Sequence, residues 1–134
     1  MPDDVELAPV PALHEAQRLL DDGLPFHAHD VLEGTWKKAG LEERDLWQGL
    51  AQLAVGLTHL RRGNPKGATT LLTQARSRIS RYAADPPYRI DVPGLVSWVD
   101  VALARLAGPD RDAAIGPPQL QRPAGRSDHD DGQD

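Results

Sequence analysis

Apolar residues recur every three or four positions along most of this chain and nowhere alternate, a pattern of helices and not of strands. Ala28, Val31, Leu32, Thr35, Trp36 and Ala39 mark one helical face, and Ala68, Leu71, Leu72, Ala75, Ile79 and Tyr82 mark another. Leu95, Val99, Leu103 and Leu106 mark a third. Glycine and proline set the ends. Gly23-Leu-Pro25 separates a first helix, about 11–22, from a second that runs to about Ala39, with Gly40 expected in the left-handed conformation that closes many helices. Arg61-Arg-Gly63-Asn64-Pro65 places cations in a last turn, then a glycine, an Asn cap and a proline at the next helix's first position. A fourth helix follows, about 65–83, and a fifth starts near Asp91-Val-Pro93 and ends at Gly108. The fold class is all-α, a compact bundle of about five helices.

The third helix, about 42–62, differs from the others, because no charged residue occurs between Leu46 and Leu60 on any face. A helix apolar nearly all round is the buried centre of its domain. Its polar exceptions are ordered: at 100° per residue, Gln48, Gln52 and His59 fall within about 40° of one another, opposite Leu46, Leu50, Leu53 and Leu57. With the fourth helix it resembles one tetratricopeptide-like hairpin, with Gly56, Ala68, Leu72 and Ala75 at the crossing and no second copy elsewhere.

Composition sharpens the boundaries. The 134 residues suit one domain. Residues 1–10 are polar and proline-punctuated, 11–107 carry the helical periodicity, and 108–134 hold four prolines, six aspartates and few large apolar residues. That last segment reads as a disordered acidic tail, and removal of residues 109–134 should leave melting nearly unchanged. There are no cysteines, the start has no basic-then-apolar leader, and no stretch is apolar enough to cross a bilayer, so a cytoplasmic protein without membrane contact is expected. The formal net charge is −5, yet residues 46–84 carry six cations and no acid. This basic stretch, 61–81 above all, makes an acidic or nucleic-acid partner a third and weaker reading. Helix-end cations that complement the dipole explain most of it.

Candidate chemistry concentrates on the second helix. His29 and Glu33 are four apart, neighbours on one face, bordering Trp36 and the apolar stripe. Facing Gln48, Gln52 and His59, they would form a polar groove between helices two and three, a site for a small polar ligand in a binding or interaction module. Self-association through Trp36, Trp47 or Trp98 is a further possibility. The alternative is a small enzyme or metal-dependent hydrolase, with His29 as base, Glu33 orienting it and His59 as a second imidazole. His27 points away from His29 on a regular helix, and there is no Cys nucleophile, Gly-x-Ser-x-Gly turn or phosphate loop. Neither a cofactor nor a resident metal is expected.

Phe26-x-x-His29-x-x-x-Glu33-x-x-Trp36, then Arg44-Asp-x-x-Gln48-Gly49-x-x-Gln52, then His59-Leu-Arg-Arg-Gly63-Asn64-Pro-x-Gly67-Ala68 together resemble domain-of-unknown-function family 309. The resemblance runs from about Phe26 to Ile79 and loosely to Val92. It implies an all-helical bundle and carries over no catalytic residue, the family having no assigned activity. The chain departs from the family pattern at Asp30, where Glu is usual, and at Arg89, where a Gly precedes the Ile-Asp-Val run.

Overall fold

The computed structural model describes residues 8–109 and 115–123. Five helices follow the sequence punctuation closely: α1 (Pro9–Asp21), α2 (Pro25–Lys38), α3 (Leu41–Arg61), α4 (Pro65–Ser80) and α5 (Val92–Ala107). Each of α1, α2, α4 and α5 has proline in its first turn, where a missing N–H costs nothing. Asn64 and Asp91 cap α4 and α5 by accepting from the amides of Gly67 and Gly94, both at 3.1 Å. Gly23 and Gly63 take φ of 78° and 75° in the turns before α2 and α4. Gly40 does not: it is extended, with φ −69°, and serves as the residue entering α3.

α3 is the centre. Leu46, Trp47, Gly49, Leu50, Ala51, Leu53, Ala54, Gly56, Leu57 and Thr58 are all buried, because α2 covers one side of it and α4 another. α1 in turn packs on α2, and α5 on α4. The α3–α4 crossing depends on small residues. A Cβ on Gly49 would stand 2.9 Å from Arg78 Cβ, and one on Gly56 would stand 2.7 Å from Leu72 Cδ2, inside van der Waals contact. Leu72 is fully buried and has nowhere to retreat. Gly56→Ala gains about 1 kcal/mol of helix propensity but overpacks this crossing, which costs about 1–3 kcal/mol. We expect a lower urea midpoint at unchanged slope, and a higher midpoint would show that the crossing has slack.

Past residue 107 the structure departs from the composition. Residues 110–114 and 124–134 of the expected tail lie outside the described residues, but 115–123 form an extended strap on the helical body. Leu120 is 1% exposed and belongs to the core. The Asp91 amide donates to Leu120 O and the Arg122 amide to Arg89 O, with an isolated antiparallel bridge between Ile90 and Gln121. Gln17 on α1 clamps the strap with both ends of its side-chain amide, giving to Pro118 O at 3.0 Å and accepting from the Leu120 amide at 2.8 Å. Trp98 Nε1 on α5 donates to Gly116 O at 2.9 Å. Residues 115–123 thus pack on the helices that end at Ala107.

The strap meets the loop before α5, where Tyr88 and Arg89 hold φ of 56° and 60°. Left-handed backbone favours glycine. Arg89 takes it although it carries a side chain. Tyr88 is held there by its hydroxyl, which donates to Glu43 at 2.8 and 3.0 Å. Burial, then the Glu43 carboxylate, push the Tyr88 phenol above its ordinary pKa.

Candidate functional site

α2 buries Ala28, Leu32 and Thr35, the three- and four-residue spacing that turns one stripe inward. His29 and Glu33 each stand one residue beyond a buried position, so they occupy the border of that stripe, with side chains 21% and 36% exposed. His29 Nε2 lies 3.7 Å from Glu33 Oε1 and His29 Nδ1 lies 3.6 Å from Asp30 Oδ1. Both distances suit ion-pair attraction and exceed a hydrogen bond. Nδ1 is buried and has no hydrogen-bond partner among the described residues. The ring is steadied by Phe26, whose centroid lies 5.7 Å away.

The other polar residues of the expected groove turn elsewhere. Gln52 donates to Gln74 Oε1 at 3.0 Å and accepts from Arg78 Nε at 3.1 Å, both on α4. His59 Nδ1 pairs with Asn64 Nδ2 at 3.0 Å at the start of α4. Gly67 leaves room for that pairing, since a Cβ there would stand 3.0 Å from the His59 ring. Gln48 is half-buried beside Gly49, which lies under α4. Gln52 and His59 thus face α4 and its cap, because the short turn at Arg62–Asn64 folds α4 back onto α3. The five candidates are not gathered in one groove: His29 and Glu33 stay together, and Gln52 and His59 serve the α3–α4 seam.

Asp30 joins them instead. One ligand atom from each of His29, Asp30 and Glu33 lies within 4.8 Å of the others, and His59 is not in this group. Adjacency to His29 is the sequence signal for Asp30, a weak one because neighbouring residues on a helix usually point apart. Trp36 is half-buried and packs against the core cluster. Trp47 is fully buried, its Nε1 donating to Glu43 at 3.1 Å, so it is core and not a surface for self-association.

The basic stretch is partly spent inside the protein. Arg78 and Arg81 both pair with Asp45 of α3, and Arg76 pairs with Asp100 of α5 at 2.7 Å. These pairs bind α4 to its neighbours and leave Arg61, Arg62 and Lys66 as the cations without an acidic partner among the described residues.

No helix of the described residues is long and apolar enough to cross a membrane. Residues 13–71 match the family model described as domain of unknown function (DUF309), the family that the sequence resembles. The match takes in α1 from Leu13, all of α2 and α3 and the start of α4, and so holds both His29 and Glu33. No curated protein and no solved structure matches the chain.

Proposed function

We propose that this helical domain is a non-catalytic binding module whose site is the edge of α2 formed by His29, Asp30 and Glu33, and that its ligand there is cationic. One observation carries the reading. Of the candidate polar side chains, Gln52 and His59 have their hydrogen bonds inside the protein, whereas the His29 ring stands between the Asp30 and Glu33 carboxylates and its buried Nδ1, beside Asp30, has no hydrogen-bond partner among the described residues. An imidazole flanked by carboxylates attracts positive charge, and half-burial weakens the solvent screening of that attraction. Catalysis finds less support, because a base needs a reacting group held against it and the second imidazole of the hydrolase reading stands apart from this group.

A metal ion is the narrower version, favoured by a donor set of one imidazole and two carboxylates drawn from a single helix turn. Ligand atoms up to 4.8 Å apart need a small inward movement of the Asp30 and Glu33 side chains to share an ion. Asp30 is largely exposed and free to make it.

The test follows the His29 ring by NMR as zinc or a diamine is added to the protein, alongside Glu33→Gln. We expect a saturable shift of the His29 ring signals that weakens about tenfold in the variant, as loss of one charged contact does. Shifts with zinc alone select the metal version. No shift with either cation at concentrations on the order of 1 mM would remove the site.

A further inference from the structure

A recessed surface of the opposite charge lies where the α1–α2 turn meets the C-terminal end of α3. It is an open cleft of about 220 Å³. Leu24, Pro25 and Phe26 supply its apolar wall, and Leu24 and Phe26 are 41% and 47% exposed although both are large and hydrophobic. Thr58 forms part of the floor, with its hydroxyl already donated to Ala54 O at 2.9 Å. Arg61, Arg62 and His27 supply the rest of the rim, and no carboxylate of the described residues lines the cleft.

The two arginines are placed and unspent. The Arg62 guanidinium carbon lies 5.9 Å from the Phe26 ring centroid, a cation–π distance. Arg61 reaches over the turn so that its Nη1 would stand 3.6 Å from a Cβ on Gly23. Neither has an acidic partner among the described residues, in contrast to Arg76, Arg78 and Arg81. A cleft with an apolar wall, two forked donors on one rim and no acid selects an anion that carries an apolar body. Guanidinium forks match a carboxylate with paired hydrogen bonds. The volume suits about ten non-hydrogen atoms at liquid packing, which is the size of an aryl carboxylate.

We infer that this cleft is a binding site for small aromatic or branched apolar carboxylates, gripped by Arg61 and Arg62 at the carboxylate and by Phe26 and Leu24 at the apolar body. The site adjoins the cation-binding edge but takes the opposite charge. The two share only the Phe26 ring, which touches the cleft on one side and His29 on the other.

Phenylacetate is the probe, added to the full chain while backbone amide signals of Gly23, Leu24, Phe26 and His27 are followed by NMR. Saturable shifts at these amides are expected, with a dissociation constant on the order of 1 mM for a ligand of this size. The uncharged analogue phenylacetamide should bind about tenfold more weakly or worse. Arg61→Gln with Arg62→Gln should weaken phenylacetate by at least about tenfold with the helical fold retained by circular dichroism, both side chains being exposed and outside the ion-pair seam. Phe26→Ala should weaken phenylacetate but leave the response to inorganic phosphate as it was. The inference falls if phenylacetate gives no saturable shift up to about 20 mM, many times that expected constant. It falls equally if phenylacetamide or phosphate binds as tightly as phenylacetate, or if the double variant binds like the parent. None of these outcomes bears on the His29 titration with cations.

Discussion

Replacing Trp47 with alanine should cost about 3–5 kcal/mol, read as a fall in the urea midpoint at constant slope. Three features place this among the largest single effects available. The side chain is the bulkiest of the fully buried ones, so truncation opens a cavity at the central helix that α2 and α4 cannot collapse into without moving their own seams. Its indole N–H donates to Glu43, which also accepts from Tyr88. Its ring packs 6.1 Å from that of Tyr88. Loss of the indole therefore reaches beyond α3: Glu43 keeps one donor where it had two, and the left-handed Tyr88–Arg89 loop loses a wall. Trp47→Phe separates these contributions, since it fills most of the volume and removes only the N–H, and should cost about 1 kcal/mol for the bond plus a smaller packing loss. Small domains hold about 5–15 kcal/mol in all, so Trp47→Ala consumes a large share of it. A loss below about 1 kcal/mol would contradict the central position of α3.

The position of that helix was legible without coordinates, and the reason is local. An uncharged span from Leu46 to Leu60 has no face to offer solvent, and helix ends are written by single residues such as Pro25, Gly63, Asn64 and Asp91 whose backbone preferences act within a turn. What the pattern does not encode is which neighbour a given face meets. Angular spacing puts Gln48, Gln52 and His59 on one line, but whether a residue of that line faces α2 or α4 is a question of tertiary packing. The answer rests on contacts 22 and 26 residues apart, those of Gln52 with Gln74 and Arg78. His29 and Glu33 stayed together because their relation is a helical i, i+4 spacing, which survives any tertiary arrangement.

The strap was illegible for a different reason. Leu120 stands among prolines, glutamines and an arginine, with no period to announce burial, and an extended segment reveals its partner only through hydrogen bonds to groups far away in the sequence. Gln17 lies 101 and 103 residues from the two strap positions it holds. Its amide imitates a peptide group, offering one donor and one acceptor to the strap's backbone, a role that composition cannot distinguish from that of any exposed glutamine on α1.

Leu120→Ala consequently tests whether this segment is structure or tail. A leucine 1% exposed within the core costs about 2–5 kcal/mol when truncated at a site that cannot relax. The strap, however, is able to relax: it is a single extended segment, and detaching it returns about 1–2 kcal/mol of backbone entropy per freed residue. The loss is therefore capped by the strap's own free energy of docking, which deletion of residues 115–134 measures directly. We expect deletion to destabilise by about 2–4 kcal/mol, the hydrophobic contribution of Leu120 and several backbone bonds less the recovered entropy. Leu120→Ala should fall at or just below the deletion value. Combining Leu120→Ala with Gln17→Ala should then add almost nothing, because a detached strap has no further contact to lose and the two losses saturate at the same ceiling. If deletion leaves the melting curve where it was, residues 115–123 contribute nothing to the fold and the boundary belongs at 107, as composition alone had placed it.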